Sequence, residues 1–175
     1  MKHTSHSRPV RFLSSLFYFF SIFIFINAFN FQHNPPSGWQ QQYLPFLNNR
    51  PLADMDFVDS LAGFGVTGDG TGGDTNYIIK TADGGKNWFV IYTIFRDLNT
   101  VSFLDANTGF VLGAGNFIGG YLTKTTNGGL TWIDIPTQFG GAFNDIHVLN
   151  EDTIWISDNM GLIGGLWRTT DGGVS

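Results

Sequence analysis

The nine residues Lys80-Thr81-Ala82-Asp83-Gly84-Gly85-Lys86-Asn87-Trp88 recur as Lys124-Thr125-Thr126-Asn127-Gly128-Gly129-Leu130-Thr131-Trp132. They begin again as Arg168-Thr169-Thr170-Asp171-Gly172-Gly173-Val174-Ser175, and the interval is 44 residues both times, from Lys80 to Lys124 and from Lys124 to Arg168. A fixed period of this length restricts the fold to repeated supersecondary units, each burying its apolar face against its neighbours. The residue types point to a turn. Asp83 and Asn127 each carry an oxygen able to accept a backbone N–H two residues on. The pairs Gly84-Gly85, Gly128-Gly129 and Gly172-Gly173 supply the positive φ that reverses a chain. Thr81 and Thr125 hold the incoming strand, and Trp88 and Trp132 offer a large ring to a neighbouring sheet. Thr169 and Asp171 open the third copy in the same way. Asn at 127 keeps the acceptor oxygen and loses the charge that acid–base or metal chemistry requires, so the motif reads as structural.

Between copies the pattern is that of short strands. Asn87 to Ile94, Asn99 to Leu104, Phe110 to Gly113 and Tyr121 to Thr125 are rich in β-branched and aromatic residues. Asp105 to Gly109 makes a turn, and Ala114 to Gly120 a glycine-bearing loop. Four short strands in one period match a propeller blade, a four-stranded antiparallel sheet. No segment after residue 30 keeps a helical apolar period. The fold class predicted is therefore all-β, an incomplete β-propeller with blades over about 54–94, 95–138 and 139–175, the last cut short. Because the third copy stops at Ser175, the chain is expected to be the N-terminal part of a longer protein, with association of several copies as the alternative.

Residues 1–30 differ in kind. Lys2, Arg8 and Arg11 precede an almost continuously apolar run from Phe12 to Phe29. Basic residues followed by an apolar core are the pattern of a secretory signal, with an uncleaved membrane anchor as the alternative. Both place the body outside the cytoplasm: periplasmic, secreted or on the cell surface. Residues 31–53 read as a linker or as the remnant of an earlier strand, since Ser37-Gly38-Trp39 resembles a worn copy of the motif's tail.

After residue 30 the chain carries 6 basic and 14 acidic residues. So acidic a body argues against nucleic acid as a partner, because phosphate binding requires Lys and Arg. The chain has no Cys, which removes disulfides and thiolate metal sites. Most Asp residues fall in turns. Asp54, Asp56 and Asp59 read as a solvated strand end. Asp69-Gly70-Thr71-Gly72-Gly73-Asp74 offers oxygens but no full calcium-loop signature. No catalytic, cofactor or metal residues are assigned.

The repeated segments resemble Asp-box (BNR) repeats, whose usual form is Ser/Thr-x-Asp-x-Gly-x-x-Trp. KTADGGKNW and KTTNGGLTW, with VSFLDANTGFVLG between them, are most similar to the photosystem II stability and assembly factor-like group, over roughly Asp54 to Ser175. The resemblance implies a propeller with these turns between the last two strands of each blade. It implies no single activity, because sialidases, xyloglucanase-type glycosidases and sortilin ectodomains share the motif. A sialidase-type site would need an arginine triad, and after residue 30 the arginines are Arg50, Arg96 and Arg168. The reading is thus a non-enzymatic binding or scaffold module for a protein or glycan. Its contact loops are Gly68 to Asn76 and Gly113 to Gly120. The alternative is the first part of a secreted glycoside hydrolase.

Overall fold

The computed structural model describes residues 38–69, 74–115, 119–137, 143–159 and 164–174. The chain divides into two units, residues 1–41 and 42–175. In the first, only 38–41 are described, so the apolar run at 12–29 lies outside the described residues.

The second unit is built from three antiparallel sheets, and no helix occurs among the described residues. The first sheet contains β1 (Leu52–Phe57), β2 (Gly63–Thr67), β3 (Asn76–Thr81) and β4 (Phe89–Ile94) in that order. The second contains β5 (Asp97–Phe103), β6 (Gly109–Gly115), β7 (Gly119–Thr125) and β8 (Ile133–Ile135), again in chain order. The third contains β9 (Phe143–Val148), β10 (Ile154–Asp158) and β11 (Leu166–Thr169). Each is a meander whose strands neighbour one another in sequence, the arrangement of a propeller blade. The segment 114–120, read from sequence as a loop, belongs largely to β6 and β7, where Ala114 pairs with Gly120 and Gly115 with Gly119. Glycine weakens a strand signal without forbidding the strand.

The core lies between sheets. One buried cluster joins Phe64, Val66 and Ile78 of the first sheet to Leu98, Val101, Phe103 and Val111 of the second. Phe64 and Phe103 stack with planes 3° apart, and Trp132 meets Phe103 edge-on at 6.1 Å between centroids. A second cluster joins Phe110, Leu112 and Leu122 of the second sheet to Phe143, Ile146, Ile154 and Ile156 of the third. On its other face the first sheet buries Tyr77, Ile79 and Trp88 beneath Leu47, which comes from the segment before β1. Both faces of the middle strands in the first two sheets are apolar because both are covered.

Replacing Phe64, fully buried between the first two sheets, with Ala is expected to destabilise the fold by about 3–5 kcal/mol. Chemical denaturation with a shared slope for both proteins measures this, and an unchanged midpoint would refute the inter-sheet role.

Candidate functional site

The repeated turn joins the third and fourth strands of the first two sheets and follows the third strand of the third. The Thr81 hydroxyl donates to Asp83 Oδ1 (2.9 Å) and accepts from the N–H groups of Asp83 (3.3 Å) and Gly85 (3.0 Å). Asp83 Oδ1 also accepts from Asn87 N–H (2.9 Å), and its Oδ2 from Asn87 Nδ2 (2.7 Å). The second copy repeats these bonds. Thr125 Oγ1 donates to Asn127 Oδ1 (3.0 Å) and accepts from Gly129 N–H (3.0 Å), and Thr131 N–H donates to Asn127 Oδ1 (3.0 Å). The third copy keeps the Thr169–Asp171 bond (2.6 Å) and the Gly173 N–H bond to Thr169 (2.9 Å). The N–H two residues beyond the acid therefore goes to the threonine, and the acid closes the turn on the residue four ahead. The sequence reading assigned this N–H to the wrong acceptor, because a hydroxyl two residues before the acid reaches the same donor.

The glycines sit where a side chain would not fit. Gly84 and Gly85 have φ of 73° and 86°. The Gly84 N–H donates to Leu61 O (2.9 Å), and a Cβ added there would lie 2.8 Å from Ser60 O. Gly128 and Gly172 donate likewise to Asn107 O and Asp152 O. Each target is the turn between the first and second strands of the same blade. That turn has its own repeated cap: Asp59 Oδ1 accepts from Leu61 and Ala62 N–H, Asp105 from Asn107 and Thr108, and Asn150 from Asp152 and Thr153. Backbone N–H donors hold the carboxyls of Asp59 and Asp105 below the usual carboxylate range. The Asn87 amide and N–H hold Asp83 down to about 2.

Asp54 and Asp56 do not form a solvated strand end, and the structure corrects that reading. β1 lies beside β5, the first strand of the next sheet. Asp54 Oδ2 accepts from the Thr100 hydroxyl (2.6 Å) and Val101 N–H (3.0 Å), and Asp56 Oδ2 accepts from Phe103 N–H (2.7 Å). The two carboxylates thus satisfy donors on the open edge of β5, which sequence could not reveal without the strand adjacency. A cation repeats in the same spirit. Lys80 pairs across the sheet with Phe64, lies 4.8 Å over its ring and reaches Ala106 O in the next blade (3.4 Å). Lys124 pairs with Phe110, lies over it at 5.4 Å and meets Glu151 of the third blade at 2.9 Å. Arg168 lies over Trp155 at 5.4 Å.

The opposite end of the blades carries the glycine-rich loops. Of Gly68 to Asn76, residues 70–73 lie outside the described residues, as do 116–118 of the second loop. Arg50 grips the first loop's two flanks, meeting Asp69 and Asp74 at 2.5 Å each. These carboxylates, weighed from sequence as calcium ligands, therefore face a guanidinium. Beneath them Thr67, Asn76 and Asp97 are buried; Asn76 Nδ2 donates to Arg96 O (3.0 Å) and Thr67 Oγ1 to Asn76 Oδ1 (3.0 Å). Sequence reading missed this network, whose one signal is a polar residue at the end of β2 and at the start of β3 and β5. Arg96 bonds Asp134 (2.8 Å) and lies over Tyr121, whose phenol burial pushes above its ordinary value. Arg50, Arg96 and Arg168 thus have separate structural partners. Among the described residues no group of acids or histidines is arranged to hold a metal.

No protein-family model matches the sequence, and no curated protein does. Solved structures do. The chain is similar to YCF48, a photosystem II assembly factor and β-propeller. A structure of YCF48 bound to a D1 peptide aligns with TM-score 0.59 and 27% identity over 77% of this chain and 41% of that one. YCF48 from Cyanidioschyzon merolae aligns with TM-score 0.60 and 23% identity over 78% of this chain and 38% of that one. The chain spans about two fifths of the length of these structures.

Two outcomes test the turn. Thr81→Ala, which removes a buried hydroxyl bonded three ways, is expected to cost about 1–3 kcal/mol in denaturant unfolding. Asp83 sits at about 2 in the folded chain against an ordinary 3.8, so its stabilisation is complete above about pH 5 and fades as pH falls toward 2. Asp83→Asn, which copies Asn127, should therefore lose less of its melting temperature than the parent between pH 4 and pH 2.

Proposed function

We propose that this chain is an exported, assembly-factor-like propeller module that holds an extended segment of a protein partner and catalyses no reaction. Its repeated turns are read as Asp-boxes on this proposal. The observation that carries it is the similarity to YCF48, solved with a D1 peptide bound. The local chemistry of this chain agrees. The repeated acids and threonines are spent on backbone donors within turns and between sheets, which makes rigid blades. Rigid blades are a scaffold on which loops can present a binding surface. Residues 1–30 export the module, as a cleaved signal or a retained anchor, and the glycine-rich loops 68–76 and 113–120 are its contact surface. Arg50 holds the first of these loops through Asp69 and Asp74.

The full chain, immobilised and probed with 15-residue peptides tiling exported proteins of the same cell, is expected to bind a small set at roughly micromolar affinity. Arg50→Ala should weaken that binding about tenfold by releasing the loop flanks. Side by side, a methylumbelliferyl sialoside and xyloglucan should stay intact. Hydrolysis of either by the chain, or glycan binding without peptide binding, would overturn the reading.

A further inference from the structure

The first and second sheets carry the same slot, filled in one and open in the other. On the first sheet Tyr77, Ile79 and Trp88 form a slot that Leu47 closes, at 6% exposure. The second sheet presents Tyr121, Thr123 and Trp132, each 44 residues further on. The residue after the plug is tied to the tyrosine in both: Asn48 Nδ2 bonds the Tyr77 hydroxyl, and the Tyr121 hydroxyl donates to Asp97 O (3.0 Å). Arg96 therefore stands where Leu47 does, with its guanidinium over Tyr121. Three apolar positions of the first slot are polar in the second. Leu47 is answered by Arg96, and the cross-strand pair of Ile79 and Val90 by that of Thr123 and Asp134.

A cleft of about 360 Å³ lies at this second slot, lined mainly by Tyr92, Phe95, Arg96, Thr123, Trp132 and Asp134. Its volume falls within the range of small-molecule sites. Arg96 and Asp134 meet at 2.8 Å with side chains 41% and 55% exposed, so both retain polar atoms for a ligand, and their charges cancel. Thr123 is 2% exposed, and its hydroxyl has no hydrogen-bond partner among the described residues. A buried hydroxyl left unpaired costs stability, and Ile79 shows that an apolar side chain fits this repeat position. Phe95 is 65% exposed beside the half-buried rings of Tyr92 and Trp132.

We infer that this cleft binds one neutral hexose ring of a glycan. Thr123, Asp134 and Arg96 take its hydroxyls, and its C–H face lies on the exposed aromatic rings. Sugar hydroxyls both donate and accept, which is what a guanidinium, a carboxylate and an unpaired hydroxyl require together. An apolar ligand would bury these groups without partners. An anion would meet Asp134 on a body with 6 basic and 14 acidic residues after residue 30, and a cation would meet Arg96. None of the lining residues belongs to 68–76 or 113–120. The site thus goes beyond the peptide surface proposed above and stands apart from it.

The test titrates the full chain in a polyoxyethylene detergent, which carries no sugar, and reads binding by saturation-transfer NMR. The probes are the methyl glycosides of glucose, galactose and mannose, with N-acetylneuraminic acid as the anionic control. At least one neutral glycoside is expected to bind with a Kd of roughly 1 mM. Thr123→Val keeps the shape of the side chain and removes the hydroxyl. It should weaken that glycoside about tenfold, while the melting temperature stays at or above the parent's because the unpaired hydroxyl is gone. Arg96→Leu, which copies Leu47, should abolish binding. Saturating glycoside should leave peptide capture unchanged. The inference is overturned if no neutral glycoside binds, if the acid binds better than all three, if Thr123→Val keeps the parent's affinity, or if the sugar displaces a captured peptide. Sugar binding by a chain that captures no peptide would support this site and count against the assembly-factor reading alone.

Discussion

A four-stranded sheet with apolar side chains on both faces cannot bury them alone, and this chain supplies no helix among its described residues to cover them. Everything else follows from that constraint. The second sheet is held on one face by Phe64, Val66 and Ile78 and on the other by Phe143, Ile146 and Ile154. Burial is worth roughly 25 cal/mol per Å² of apolar surface, so the sheets stabilise one another only while stacked. Polar groups at the joints are then obliged to find partners. The carboxylates of Asp54 and Asp56 do this for β5, whose edge donors would otherwise face a blade with nothing to offer.

The turns convert that stacking into a fixed geometry. One threonine hydroxyl and one Asp or Asn oxygen satisfy most of the donors in a tight reversal, and the first glycine's N–H locks the reversal to the neighbouring hairpin. The carboxylate is interchangeable with an amide because its work is to accept hydrogen bonds. Asp83 and Asn127 make the same bond to the N–H four residues ahead, at 2.9 and 3.0 Å. A motif with an acid and two glycines thus looks like an active site in one copy and like carpentry once two copies are compared.

Much of the fold was legible because the 44-residue period and the glycine pairs are local signals. Strand order within each sheet follows from short connections. What was hidden is what depends on distance in sequence. Asp54 and Asp56 lie 46 and 47 residues from their bonding partners, and no local pattern marks a carboxylate as an edge cap for the next sheet. The pairing of 114–115 with 119–120 was missed because glycine carries little strand propensity. The buried Thr67, Asn76 and Asp97 escaped notice because each stands at a strand end, where polar residues ordinarily meet water. For the proposed contact surface, the sequence offers only glycine-rich loops, whose composition names no ligand chemistry.

The cation that rides over an aromatic ring in each blade gives the stack a direction. Lys80 and Lys124 are anchored on their own sheet and reach forward to the turn of the one that follows. Both joints between the described sheets therefore have a donor side and a receiving side, and share one pattern. An array assembled this way can gain or lose a whole repeat by unequal recombination without needing any new contact to be invented. Blade number becomes a quantity that evolution can vary by copying, while the joints that hold the blades stay the same.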